Sequence, residues 1–327
     1  MRDKIRLVVN GAEVSGLMAF TFSADIFSPS DEFEIRFRAD SYPEKAQKVE
    51  LFVNDEKEFV GLIEEIEDRD SKDGGVEVYI RGRDFGGLLE SSFVEKFAEQ
   101  GGKTIQAIAD ELLKEIPFAN RLEVKVEGKQ KNAGKLTKPE PGDSVFDRLS
   151  RVATAKGLLF SVEPEGTLLF APLPTEKKEE FKIVRKVGSS ENNVLESSRR
   201  INISEVYSEV RLYGQDNEGS NFKATAKNPS APFRKIFVGQ FNEDEGSAKD
   251  QAAGLVDSQN RASLSLSYSV PGFSQGGKNW KIRKGARIDD DRRGIKETLL
   301  IYSRTFSFDK DQGLKTSLNL GYFAEKR

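Results

Sequence analysis

The stretch "PGDSVFDRLSRVATAKGLLFSVEPEGTLLF", residues 141–170, reads as a capped helix that runs straight into a β-hairpin. Ser144 followed by Asp147 fits the capping-box pattern, with Asp in place of the commoner Glu. Val145, Phe146, Leu149, Val152 and Ala153 recur at helical spacing as one apolar stripe, and Lys156-Gly157 supplies a stop. "LLFSV" and "TLLFA" are then strands joined by "EPEG", a turn by composition. The stripe predicts that Phe146, Leu149 and Val152 dock on this sheet through Leu158, Phe160, Leu168 and Phe170. Nothing in the stretch looks like a catalyst or a ligand cradle.

Upstream the helical pattern continues. In "KTIQAIADELLKEI", Thr104 can cap a helix whose Ile105, Ile108, Ala109, Leu112 and Ile116 share a face, and Pro117 ends it. "RLEVKVEG" reads as a short strand and "KQKNAGKLTKPEPGD" as loop. Residues 91–175 therefore read as an α+β insert, closed by the Pro- and charge-rich connector "APLPTEKKEE".

On either side the period falls to two. Residues 1–90 read as β throughout, with no helix. "KIRLVVNG" alternates Ile5, Leu7 and Val9 before an Asn-Gly turn, with "VSGLMAFTFSAD" as its partner strand. "DEFEIRFRAD" puts Phe33, Ile35 and Phe37 on one face and Glu34, Arg36 and Arg38 on the other. "KVELFVNDEKEFVGLIEEIEDRD" is a hairpin turning near Asn54-Asp55, and "GGVEVYIRGRD" is a further strand. Residues 176–327 return to β, from "EFKIVRKVG" through "SEVYSEVRLYGQ", "SLSLSYSVPG" and "LLIYSRTFSFD" to "LKTSLNLGYF". One helix interrupts them, "SAKDQAAGLVDSQNRA", with Ser247 as candidate cap. The expected class is α+β, mainly β: two small β-barrel domains, 1–90 and 176–327, flanking the insert. The two β regions could be distant structural copies.

Composition narrows the chemistry. In 327 residues, 51 basic and 54 acidic side chains nearly cancel, which argues against a dedicated duplex-DNA binder. There is no Cys and no His. Thiol nucleophiles, thiolate metal sites, disulfides, Ser-His-Asp arrangements and His-ligated zinc are thereby excluded. Carboxylate-only, Lys-based and carboxylate-bound Mg or Ca chemistry survive. "MRDKIRLVVNGAEVSG" has no leader-like apolar stretch and no run is long enough to span a bilayer, so a soluble protein made in the cytoplasm is expected.

The remaining candidates are each outweighed by a plainer reading. "EQGGKT", residues 99–104, resembles the tail of a phosphate loop, but Phe97 stands where the motif needs Gly; helix-start punctuation is the simpler reading. "GRDFGG", residues 82–87, lacks the dinucleotide glycine spacing. Asp289, Asp290 and Asp291 are adjacent rather than alternating, which favours a solvated hairpin turn over a metal loop. Asp68, Asp70 and Asp73 alternate loosely at a strand end. "GKNWKIRKGARI" sets Lys278, Lys281, Arg283, Lys284 and Arg287 around Trp280, either as a basic surface facing a partner or channel or as the outward residues of a strand whose Trp is core. No cofactor is indicated.

The order of segments carries more than any one motif. "VNGAEVSG", "IRGRDFGGLLESS", "KPEPGDSVFDRLSRVATAKGLLFSVEPEGTLLFA", "SEVYSEVRLYGQ" and "GKNWKIRKGARIDDDRRGIKETLLIYSRTFSFDKDQGLKTSLNL" resemble, in sequence along the chain, the blocks of the baseplate hub family of contractile-tailed phages. The resemblance is to the Mu-like prophage tail protein P group, itself similar to the base of secretion-system spike proteins. Glu90-Ser91-Ser92 stands where some relatives carry Cys, which bears on packing. The resemblance implies a homotrimer in which each subunit supplies two β-barrels to a pseudo-sixfold ring. It implies tail tube proteins above, a central spike protein below, other baseplate proteins around, and a channel through which DNA passes without specific binding. It also implies a virion tail baseplate location, assembly in the bacterial host cytoplasm and no catalytic role. The rival from another class is a carboxylate-dependent cell-wall or surface-polysaccharide hydrolase acting at infection. A third is a monomeric barrel that binds single-stranded nucleic acid.

Overall fold

The computed structural model describes residues 3–38, 47–72, 75–114, 116, 122–127, 138–154, 156–215, 221–240, 245–311 and 313–324. Pro117 and most of the loop read at 129–143 lie outside them, as does Asp73. The first β region comprises β1 (Ile5–Val9), β2 (Ala12–Glu13), β3 (Leu17–Asp25), β4 (Glu32–Arg38), β5 (Lys48–Val53), β6 (Glu56–Ser71) and β7 (Gly75–Asp84). The middle holds α1 (Phe85–Ser91), α2 (Ile105–Leu113), β8 (Val124–Val126), α3 (Val145–Thr154), β9 (Leu159–Val162) and β10 (Leu168–Ala171). The last region opens with β11 (Glu179–Arg185), β12 (Glu196–Ile201), β13 (Glu209–Gln215), β14 (Asn221–Lys227), β15 (Ile236–Gln240) and α4 (Glu245–Ala262). It ends with β16 (Leu264–Pro271), β17 (Ser274–Gln275), β18 (Lys278–Asn279), β19 (Gly285–Asp290), β20 (Ile295–Asp309) and β21 (Gly313–Gly321). The class is α+β and mainly β.

The middle segment forms as its periodicity predicts. Ser144 Oγ accepts from Asp147 N at 3.0 Å and donates to Asp147 Oδ2 at 2.7 Å, a cap that orders the first turn of α3. Thr104 Oγ1 caps α2 by accepting from Ala107 N at 3.1 Å. Leu149, Val152, Phe160, Leu168 and Phe170 share one buried cluster with Ile105, Ile108 and Leu89, and Phe146 and Leu158 pack on its rim. Beneath the helices, β10 pairs antiparallel with β9 and parallel with β8.

Three local expectations need correction. The residues before 90 are not helix-free: α1 begins at Phe85, capped by Asp84, whose Oδ1 accepts from Gly86 N at 2.8 Å. Glycine is required there, because a Cβ on Gly86 would lie 2.3 Å from the Pro29 carbonyl oxygen. The partner of β1 across Asn10-Gly11 is the two-residue β2, and β3 leaves to pair with β4 and β20 instead. Helix α4 begins at Glu245, so Ser247 lies within it rather than capping it.

The outer regions repeat one topology. Neighbours across the first run β3-β4-β7-β6-β5-β1, and across the last β12-β16-β21-β20-β19-β11. With β2, β13–β15 and β17–β18 set aside as additions, the two orders are the same permutation of chain order. The details repeat too. The β6–β7 ladder slips between Ile63 and Glu65 and ends at Ser71 opposite Gly75; the β20–β21 ladder slips between Ile301 and Ser303 and ends at Asp309 opposite Gly313. One difference is that β1 runs antiparallel to β5 while β11 runs parallel to β19. β3 joins β20, with Phe22 opposite Phe306 and Phe20 opposite Phe308, so both regions lie in one 13-stranded sheet. They also share one core, in which Phe22, Ile35, Phe59 and Ile80 meet Phe181, Tyr268, Phe273 and Phe306.

Candidate functional site

The polar groups that matter most lie where the two β regions meet. Asn54 and Asp55, at the tip of the β5–β6 hairpin, take positive φ of 53° and 64°, the turn geometry that Asn and Asp tolerate. Asn54 Nδ2 then donates to Asp3 Oδ1 at 2.8 Å and to Asn279 Oδ1 at 2.9 Å. Asn279 Nδ2 donates to the Val53 carbonyl at 2.8 Å and to Glu58 Oε1 at 2.7 Å. Glu58 is 1% exposed and Arg304 3%. Arg304 donates through Nη2 to Glu58 Oε2 and through Nη1 to the Trp280 carbonyl, with its guanidinium 4.4 Å from the Phe306 ring centre. Burial would raise the Asp3 carboxyl, but hydrogen bonds from Phe273 N, Ser274 and Asn54 outweigh it and hold the group below its ordinary value. This network ties the two regions together: Arg304 neutralises Glu58, and the Asp3 carboxylate is held by hydrogen bonds.

The basic stretch is distributed by its carboxylate partners. Lys281 pairs with Glu56, Lys284 with Glu180 at 3.2 Å and Arg287 with Glu179 at 3.8 Å. Arg283, at φ 62°, donates to the Pro172 carbonyl at 2.7 Å, and burial lowers its pKa against the opposing pull of Glu127 and Glu163. Lys278 stands exposed on β18. Trp280 is core, 1% exposed and stacked on Phe181 with ring centres 4.5 Å apart. The stretch therefore contributes one exposed lysine, three paired cations and one arginine turned toward the middle segment.

The acidic candidates are also tied down. Asp289 pairs with Lys186, and Asp291 lies 3.8 Å from Lys296. Asp290 is not solvated as the sequence predicts: it is fully buried, accepting from Tyr268 Oη at 2.9 Å and Arg293 Nη1 at 3.0 Å. Across an open concavity lined by β3, β4, β6 and β7, Glu34 is held by Arg81 at 2.9 Å and Glu64 by Arg83 at 2.8 Å. Among the described residues no group of three or more Asp, Glu, His or Cys could hold a metal ion, and no helix is long and apolar enough to cross a membrane. The "GKT" stretch is punctuation before α2, with Lys103 paired to Glu111 at 2.6 Å.

Sequence reading overlooked Arg304, Glu58 and Asn279. Arg304 left a signal, since it shares strand parity with Phe306 and Phe308 and so stands as a cation on a buried face. Glu58 and Asn279 left none, because their partners lie in the other β region.

Comparison with known proteins follows the same division. Residues 86–172 match the family model described as baseplate hub protein gp44-like, second domain. No curated protein sequence matches the chain. Among solved structures, the tail protein from Neisseria meningitidis MC58 is similar over 98% of this chain and 97% of its own, with TM-score 0.88 at 21% identity. The 43 kDa tail protein of prophage MuSo2 from Shewanella oneidensis is similar over 98% of each chain, with TM-score 0.79 at 18% identity. The Escherichia coli c3393 protein, described as a type VI secretion component similar to T4 tail proteins gp27 and gp5, covers all of this chain with 80% of its own, at TM-score 0.60 and 11% identity. The segment built from α1 to β10 is thus similar to a baseplate hub gp44-like second domain, and the whole chain has a fold similar to that of these phage tail proteins.

Proposed function

We propose that this chain is a structural phage tail baseplate hub, a homotrimeric ring that joins the tail tube to the central spike and surrounds the DNA channel. The observation that carries the reading is the match of residues 86–172 to a hub second-domain model, within a chain whose fold is similar to a tail protein over 98% of its residues. In this reading residues 1–90 and 176–327 are two barrel-like ring domains and 91–175 is the insert. Tube, spike and other baseplate proteins bind through β surfaces, and DNA passes without specific contacts. The chain works in the virion tail baseplate after assembly in the host cytoplasm. Lys278, with the paired Lys281, Lys284 and Arg287 behind it and Arg283 at the insert, is assigned to a surface facing a partner or the channel.

A trimer of this kind buries well over about 2,000 Å² in total and closes by cyclic symmetry. Sedimentation of the chain alone and co-expressed with its spike protein tests this. A trimer is expected in at least the co-expressed sample. A monomer at high concentration in both samples overturns the reading. No observation favours the hydrolase: of the glutamates lining the open concavity, Glu34 and Glu64 are paired with Arg81 and Arg83.

A further inference from the structure

The repeated topology leaves two edges without the partner that repetition assigns them. Within the chain, β3 lies antiparallel along β20 over residues 19–25 and 303–309. The counterpart of β3 in the last region is β12, and the counterpart of β20 in the first is β6. Among the described residues, β12 pairs only with β16. β5 covers β6 only up to Leu62, as β19 covers β20 only up to Leu300. Beyond those points β20 is covered by β3, whereas among the described residues the second half of β6 pairs with β7 alone.

Resting on the hub reading for the number of copies, we propose that β12 of one copy adds to the second half of β6 in a second copy, antiparallel, in the register that β3 and β20 already show. The ladders set that register. Ile35 faces Ile80 and Phe20, while Tyr268 faces Leu318 and Ser197, so Ser197 takes the place of Phe20. The shared bulges and hairpin ends put Ile63 in the place of Ile301 and Ser71 in that of Asp309. Phe22 opposite Phe306 then becomes Arg199 opposite Asp68. Ser23 opposite Thr305 becomes Arg200 opposite Glu67, and Ala24 opposite Arg304 becomes Ile201 opposite Ile66.

Side-chain chemistry played no part in fixing this register, yet it fits. Two arginines meet two acids, and Ile201, 63% exposed, meets the half-buried Ile66. Among the described residues Arg199, Arg200 and Asp68 have no ion-pair partner within the chain; Glu67 is shared with Arg69 at 2.8 Å. A slip of one residue one way sets Arg199 against Arg69, and the other way sets Arg200 against Ile66. Each slip keeps only one Arg–acid pair where the proposed register has two, and the first also opposes like charges, so the neighbouring registers are disfavoured. Long charged edges otherwise serve to keep strands apart; here the two edges carry complementary charge. Because the two edges are different surfaces, the contact is heterologous and propagates from copy to copy, giving a ring where the rotation closes.

Disulfide trapping tests the pairing in a chain that has no cysteine of its own. Directly opposed residues of an antiparallel pair have Cα atoms about 4.5–5.5 Å apart, within disulfide reach. Ile66→Cys and Ile201→Cys chains, mixed under mild oxidation, should give a covalent dimer that neither gives alone. The double variant should give a ladder ending at a closed trimer. Mixing Ile66→Cys with Arg199→Cys, two residues out of register, should cross-link at least tenfold more slowly. Arg199→Asp should weaken association at least tenfold, and adding Asp68→Arg should restore it. Assembly by sedimentation without the in-register cross-link, or self-linking of either single variant, overturns the pairing and leaves the hub reading standing. Cross-linked chains that never close at three support the pairing and count against the trimer. Monomer under every condition, spike included, overturns both.

Discussion

Arg304 shows how one residue can hold two distant parts of a chain together. Its charge is acceptable in the core because Glu58 and the Trp280 carbonyl take its protons and Phe306 covers its face. Glu58→Leu leaves the guanidinium buried without its counter-charge, and urea denaturation should show a loss of about 3–5 kcal/mol. Glu58→Leu with Arg304→Met should recover more than half of that, since a buried pair is costly mainly when halved. A second residue couples the fold to pH. Burial pushes the Asp31 carboxyl up to about 7, with the charges of Asp25 and Glu32 adding to it and the Asp25 N–H and Arg304 opposing. A raised carboxyl binds its proton more tightly folded than unfolded. Its stabilising contribution is therefore full below about pH 4 and fades as pH rises through about 7. Asp31→Asn, which keeps an acceptor for Asp25 N, should lose less stability than the parent between about pH 5 and pH 8, read as Tm across that range.

At the scale of elements, what could be read from the sequence was what is locally determined. In α3 the stripe and the Ser144 cap lie within one short run, so period and capping chemistry suffice. Ser144→Ala should cost about 1 kcal/mol and Leu149→Ala about 2–5 kcal/mol, both by chemical denaturation. Strand β4 was equally plain, because Phe33, Ile35 and Phe37 bury one face while Glu32, Glu34 and Arg38 stay exposed. α1 was hidden because Gly86 and Gly87 are poor helix formers in so short a run; the glycines answer to a close approach by Pro29 and Arg83 that no local rule contains. β12 gave no signal for a related reason. "ESSRRI" buries almost nothing within its own chain, so neither period two nor an apolar face marks it. The Glu58–Asn279–Arg304 network was invisible as a site because its members come from opposite ends of the sequence.

For the whole molecule, the join between β3 and β20 decides how the chain fails. A two-domain chain with a polar seam would lose its domains one at a time. Here Phe20, Phe22, Phe306 and Phe273 belong to one aromatic cluster, with Phe273 and Phe306 ring centres 4.8 Å apart and Phe22 and Phe306 6.2 Å apart. The α1–β10 segment instead closes over its own cluster around Leu89, Leu149 and Phe170. Cooperative units follow contiguous buried contacts, so the two β regions should open together and the middle segment separately. Phe306→Ala removes a side chain that both regions bury and should cost about 3–5 kcal/mol. Native-state hydrogen exchange reads this directly: amides of β6 and β7 should speed up as much as those of β20 and β21, by about a hundredfold or more, while those of α2 and α3 change little. Acceleration confined to β20 and β21 would mean that the shared sheet is only a contact between two independently stable halves.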